Sequence, residues 1–297
     1  MKLVRPLLVA LAALLIPAAA QAEDAPCPPF EVTGTGPDLV LVPGLGSHPE
    51  TWEGVKESLA GDYRLHLVHV AGFAGRPAKG DPMQVLANTE AEIIRHLDCQ
   101  KVARAAYAGH SMGGFLGLML GADHPDRITR VVVVDSLPFF PLIFNPGATV
   151  ASTKRIAEDT RIGLLAQDRD SFADGQRRGV LSLVQKPADQ TRVADWTIAS
   201  DRASFAAAIH VLMTTDMRPR LPEVKVPVRV IAAANPYAPR ARVEPLYRTA
   251  YAGTPDMQLT IIDDSFHFVM FDQPEAFETA LRAGLAETAP PALAPAP

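Results

Sequence analysis

The stretch that most limits the fold is Gly109-His110-Ser111-Met112-Gly113, set between a strand pattern at 103–108 and a helix pattern at 115–124. A serine held on a very tight strand-to-helix turn takes an uncommon backbone conformation. A Cβ two residues before or after it would collide, so glycine suits both places. Pro125 stops the helix, because proline disfavours helix in the residue before it. Gly113, Gly117 and Gly121 recur at intervals of four, giving that helix a small-residue face that can press on a sheet. An ordinary glycine turn competes for the pentapeptide alone. Its flanks favour a nucleophile elbow.

The chain around this turn alternates strand and helix patterns. Residues 39–42 are strand formers followed by Pro43-Gly44-Leu45-Gly46, and 63–70 is strand-like up to Ala71-Gly72. A helix spans about 83–97, and 130–134 is a β-branched run of the kind buried on both faces of a sheet. Val228–Ala233 and Met257–Ile262 supply two more strands. Strands separated by helices make an α/β fold with a mostly parallel twisted sheet, and ligands gather beyond the carboxyl ends of its strands. One segment breaks the pattern: 137–217 holds helical stretches such as 153–166 and 202–213 but no convincing strand. It is expected as an inserted helical cap, with the core formed by 23–136 and 218–287. The cap opens on Leu137-Pro138-Phe139-Phe140-Pro141-Leu142-Ile143-Phe144, which packs as cap core and can also line an apolar substrate pocket.

The two ends carry their own signals. Lys2 and Arg5 precede an apolar run from Leu7 to Ile16, and Ala20-Gln21-Ala22 is a small-residue cleavage pattern. Residues 1–22 are therefore expected to be a secretory signal peptide, cut after Ala22, with export to the periplasm or beyond. The segment from Pro6 to Ala20 is too short for an uncleaved spanning anchor and contains Pro17, so no stable membrane insertion is expected. Residues 288–297, nearly all Ala and Pro, read as a loose tail. A net charge of −5, which becomes −7 without the leader, and no basic cluster argue against nucleic acid as a partner. Cys27 and Cys99 fit no metal-ligand spacing; an oxidising compartment would favour one bridge between them, against two free thiols.

A serine hydroxyl needs a base to take its proton and a third group to orient that base. His110 adjoins Ser111, but neighbouring side chains point apart, which disfavours it as the base. His267 follows the last strand pattern, where a loop can carry an imidazole over the sheet edge; a histidine merely packed among Phe266, Phe268 and Phe271 is the competing reading. Backbone N–H groups of Met112 and Leu45 are the candidate oxyanion donors. The Pro43–Gly46 loop lacks both the Gly-Lys-Ser/Thr ending of a P-loop and the dinucleotide fingerprint. No metal and no cofactor is called for.

Together, "LVLVPGLGS" with Trp52, "YAGHSMGGF", "VVVVDS" and "DSFHFVMFDQPEAF" resemble the serine α/β-hydrolase family over nearly the whole mature chain. The resemblance implies a triad in the order nucleophile, acid, histidine, and a cap between the sixth and seventh strands of an eight-strand pattern. Two departures stand out. Pro43-Gly44 replaces the frequent His-Gly, and the loop after 228–233, where the family's acid usually lies, reads Ala234-Asn235-Pro236-Tyr237-Ala238-Pro239 with no carboxylate. Some relatives carry the acid one sheet strand earlier, which makes Asp135 the candidate; relatives also carry an unused aspartate there. Asn235, Asp263 and Asp264 are the rivals. The activity expected is serine esterase chemistry on a small, rather apolar acyl substrate, with lactone, aminopeptidase and C–C bond cleavage open. A ligand-binding protein without efficient turnover is the alternative.

Overall fold

The structure is a computed structural model and describes residues 26–286. The expected leader and Ala/Pro-rich tail lie outside the described residues. Seven strands form one sheet in the order β1-β3-β2-β4-β5-β6-β7. They are β1 (Glu31–Thr33), β2 (Asp38–Val42), β3 (Arg64–Leu67), β4 (Ala105–His110), β5 (Ile128–Val134), β6 (Val228–Ala233) and β7 (Met257–Ile262). β1 runs antiparallel to β3, and every other neighbouring pair is parallel.

Alternation along the strands sorts their side chains into two cores. Val40, Val42, Tyr107, Val131, Val133 and Val230 face one way, onto α2 (Val85–Cys99), α3 (Met112–Asp123) and α8 (Arg240–Ala250). Leu39, Leu41, Ala108, Val132, Val134 and Ile231 face the other, onto α1 (Glu53–Ala60) and α10 (Pro274–Leu285). Helices on both faces explain why β5 is continuously apolar from Val131 to Val134. The small face of α3 meets the sheet closely: a Cβ on Gly117 would stand 2.5 Å from the Tyr107 ring, and one on Gly121 2.9 Å from Val224.

Several element bounds differ from the sequence expectation. The strand expected over 63–70 forms a ladder only at Arg64–Leu67. Val68 still donates to Leu41 O at 2.9 Å beside the end of β2 at Val42, and Val70 is buried beyond it. β4 begins two residues after the expected 103 and runs to His110, directly into the serine turn. β1 had no recognisable pattern; three residues are too few to display a period of two. The described residues thus hold seven strands where the resemblance implied eight.

Between β5 and β6 the chain forms four helices: α4 (Val150–Ala166), α5 (Arg169–Gly179), α6 (Pro187–Ile198) and α7 (Arg202–Thr214). Thr149 and Ser152 cap the start of α4 reciprocally, satisfying two otherwise orphaned N–H groups. Thr153 Oγ1 donates to Met213 O at 2.8 Å and joins α4 to α7. The insertion closes onto the core at three loops, one of them at Gly72–Gly75, where Asp201 N–H donates to Gly72 O and Gly75 N–H to Ala199 O. Ser200 Oγ bonds Gly46 O in the glycine loop, and Phe268 N–H donates to Leu183 O beside α9 (Val269–Asp272).

Cys27 and Cys99 form a disulfide, with Cα atoms 6.0 Å apart and a sequence separation of 72 positions. It fastens the segment before β1 to the end of α2. Closing a loop of that length restricts the unfolded chain, so the Cys27→Ser/Cys99→Ser double variant is expected to lose about 2–4 kcal/mol of stability. Urea unfolding of both forms measures this; identical midpoints would mean the bridge adds nothing.

Candidate active site

β4 delivers the chain straight into the turn at Ser111, whose φ of 53° and ψ of −119° mark a sharp change of direction into α3. Such backbone costs about 1–3 kcal/mol and persists only where its surroundings hold it. They do so from both sides. Ser111 N–H donates to Val134 O at 2.8 Å, and Ser111 O accepts from Phe115 N–H at 3.0 Å. A Cβ on Gly109 would lie 2.2 Å from Gly113 O, and one on Gly113 2.4 Å from Val42 O. Both glycines are therefore obligatory, the first by contact with the second and the second by contact with β2. The Tyr107 hydroxyl donates to Gly113 O at 2.6 Å from beneath.

The glycine loop after β2 passes over this elbow; a Cβ on Gly44 would stand 3.1 Å from Ser111 Cβ. Met112 N–H opens α3 and has no acceptor in a preceding helical turn. Leu45 N–H donates to no backbone carbonyl among the described residues. Leu45, Ser111, Met112, Asp135 and His267 line one cavity of about 140 Å³. Its other walls are apolar apart from Ser136: Phe115, Leu137, Phe140, Ile143, Ile209 and Leu212. The Leu137–Phe144 stretch thus contributes three residues to the cavity. Larger cavities of 290 and 330 Å³ contain neither Ser111 nor His267.

Asp135 stands at the end of β5 with a φ of 45°. Its N–H donates to Ile231 O at 2.7 Å, which turns the side chain over the edge of β6. Oδ1 accepts from Ala233 N–H and from the Tyr247 hydroxyl, both at 3.0 Å. Oδ2 lies 2.7 Å from His267 Nδ1. The carboxylate accepts only, so that nitrogen carries a proton and Nε2 is left for the cavity. Burial first, and then the Asp135 charge, push the Tyr247 hydroxyl well above the usual tyrosine range, which keeps it a neutral donor.

The rivals are engaged elsewhere. Asn235 Oδ1 accepts from Tyr237 and Ala238 N–H at 2.9 Å, and its Nδ2 donates to Ser265 O, so it builds the turn after β6. Asp263 pairs with Arg240 at 2.7 Å. Asp264 has a φ of 52° and offers its main-chain carbonyl to Gln185 and Gln273. Ser111 and His267 share the cavity, yet no hydrogen bond joins them among the described residues; such contacts are often long before substrate binds.

Three partners of the site escaped the sequence reading. Tyr247 sits on the buried face of α8 with Val243 and Ala250, so its hydroxyl looks like one more core position. Ala233 contributes only a backbone N–H, which no side-chain pattern reveals. Asp272 takes Phe266 N–H at 2.8 Å and Gln185 N–H at 2.9 Å, tying the histidine loop to the insertion; burial raises its carboxyl above the usual aspartate range. A carboxylate six residues from the N–H that it accepts carries no spacing signal. No helix among the described residues is long and apolar enough to cross a membrane.

The sequence profile of the alpha/beta hydrolase family matches residues 39–280. The pimeloyl-[acyl-carrier protein] methyl ester esterase of Nitrosomonas europaea is 30% identical over 216 residues, 69% of this chain and 80% of that one. The enzyme of the same name from Edwardsiella ictaluri is 30% identical over 254 residues, 82% of this chain and 91% of that one. Among solved structures, the enol-lactonase of Burkholderia xenovorans LB400 superposes with a TM-score of 0.70 at 22% identity, covering 87% of this chain and 96% of its own. With the elbow, the seven-stranded sheet and these relatives together, the chain belongs to the alpha/beta hydrolase family and is a serine hydrolase of carboxylesterase type.

Proposed function

We propose that this protein is an exported esterase that cleaves a small, rather apolar acyl ester through an acyl-enzyme on Ser111. The observation that carries the reading is the 2.7 Å contact of Asp135 Oδ2 with His267 Nδ1, at a cavity that Ser111 also lines. In this reading His267 Nε2 takes the Ser111 proton as Oγ attacks the ester carbonyl, and Asp135 stabilises the imidazolium formed. The Leu45 and Met112 N–H groups receive the oxyanion. Collapse breaks the bond to the alcohol, which leaves with the proton held by His267. Water then attacks the acyl-enzyme, gives its proton to His267, and releases the acid and free Ser111.

The named substrate of the two sequence relatives is a methyl ester. Only that feature, an ester of a small alcohol, is carried into the proposal. Export is supported by the leader pattern at 1–22 and by the Cys27–Cys99 bridge, since disulfides persist in oxidising compartments. We read 137–217 as a cap whose first segment walls the acyl pocket.

A pocket of about 140 Å³ is close to the volume that holds a benzene-sized ligand. With p-nitrophenyl esters, kcat/KM is expected to rise about fourfold per added methylene while the chain fills apolar space, at ~0.8 kcal/mol each. It should then fall once the acyl chain outgrows the pocket. A rate that climbs steadily to long chains would sink the small-substrate reading. A fluorophosphonate probe followed by intact mass tests the nucleophile: one adduct on Ser111 is expected, with or without prior chelator treatment. No adduct would leave a ligand-binding protein on this fold.

A further inference from the structure

His110 is the member of the elbow motif to which the chemistry above gives no task. It is 0% exposed. Its Nε2 lies 3.0 Å from the main-chain oxygen of His267, and a carbonyl only accepts, so Nε2 carries the proton. Burial, and after it the neighbouring His267, hold His110 well below the usual histidine range, and the ring is neutral. A neutral ring protonated at Nε2 has a bare lone pair at Nδ1. That atom is buried without a hydrogen-bond partner among the described residues. It lies beneath the glycine loop: a Cβ on Gly44 would stand 3.0 Å from Nδ1 and 3.4 Å from Cε1. The ring centroid is 4.6 Å from that of His267 and 4.6 Å from that of Phe268. One side chain thus touches the glycine loop and the histidine loop while its own backbone leads into Ser111.

We propose that His110 is a positioning residue: its Nε2–H clamps the His267 main chain to the nucleophile elbow, and its bare Nδ1 edge sets the height of the Gly44 turn. The inference rests on the reading of His267 as the base. His267 stands on a loop, and Asp135 holds only its ring at Nδ1. An imidazole tethered at one atom can swing; a second tether on its own carbonyl fixes the backbone from which it swings. The clamp must also be uncharged. A cation at 4.6 Å would oppose the imidazolium that attack creates, so a lysine or arginine could supply the donor only at the expense of the chemistry. Gly44 completes the arrangement, because a side chain there would strike the His110 ring.

Two measurements test this. On the unmodified protein, ¹⁵N NMR is expected to find His110 as the Nε2–H tautomer with no titration between about pH 5 and 8, where an ordinary histidine changes charge. The opposite tautomer, or a titration in that window, overturns the proposal. Next, His110→Gln and His110→Leu are compared: the glutamine amide can donate from near the Nε2 position, and leucine fills the space without a donor. His110→Leu should lower kcat on the order of 10²-fold with KM within about twofold, as expected for a misplaced reacting group. It should also shift the acidic limb of the pH–rate profile. His110→Gln should recover at least about tenfold of that loss. Equal damage in both variants, or none in either, overturns the clamp. If neither variant folds, the tautomer measurement still decides. Failure of the serine–histidine reading would look different: unmodified protein that takes no fluorophosphonate on Ser111.

Discussion

Ser111→Ala is expected to lower kcat for a short-chain ester by about 10⁶-fold, leaving a residue of roughly 10³–10⁴ over water from the oxyanion donors and substrate binding. In the proposed mechanism, removing the hydroxyl deletes the atom that forms the acyl-enzyme; the other serine lining the cavity, Ser136, is buried and follows β5 rather than standing on the elbow, and the walls beyond Asp135 and His267 are otherwise apolar. Adding His267→Ala to the first variant should cost little more, because a base without its nucleophile has no proton to take. Steady-state rates of the single and double variants measure both effects. Several per cent of residual activity in Ser111→Ala would remove Ser111 from the mechanism. Stability provides a second, independent reading of the same turn. Alanine keeps a Cβ at a φ of 53° and should leave Tm unchanged, whereas Ser111→Gly relieves the strain and should stabilise the fold by about 1 kcal/mol while remaining inactive.

Asp135→Asn is the other large effect, with kcat expected to fall on the order of 10⁴-fold and the fold retained. The reason lies on the side of the carboxylate away from the histidine. Ala233 N–H and the Tyr247 hydroxyl both donate to Oδ1. An asparagine must turn its amide oxygen towards those two donors, which leaves its NH₂ facing His267 Nδ1. Two donors then meet unless the imidazole adopts the other tautomer, with its proton on Nε2 and no lone pair for Ser111. Asn235→Ala, by contrast, removes turn-building bonds to Tyr237, Ala238 and Ser265 and should change kcat only a few-fold. Kinetics of the two variants side by side separate the cases. A mild Asp135→Asn with a severe Asn235→Ala would transfer the acid role to the turn after β6.

The legible parts of this site are those whose signals are local. The elbow can be read because Gly109, Ser111 and Gly113 must sit two residues apart for a backbone reason, whatever the rest of the chain does. His267 can be read because it closes a strand pattern and precedes a helix start at Pro274. The β-branched run of β5 announces a strand buried on both faces, and β6 and β7 occupy their expected bounds. Where the signal fades, the cause is equally physical. β1 is too short to show a period. Val70 has strand-like sequence, but a ladder needs a partner, and β2 ends at Val42, one residue past its last pairing with β3 at Leu41 and Leu67.

By itself, the sequence determined an α/β sheet, a serine on a strained turn and a histidine beyond the last strand, since each follows from neighbours within a few residues. Tertiary structure alone decided what lies against them. Asp135 and His267 are 132 positions apart, and they meet because β5, β6 and β7 are consecutive in the sheet, so that their carboxyl-end loops share one edge. Tyr247, Ala233 N–H and the His110 clamp enter the same edge from a helix face, a backbone atom and a buried ring. None of these has a sequence spacing to betray it, because hydrogen bonding across a sheet edge depends on strand order and register, which distant parts of the chain settle together.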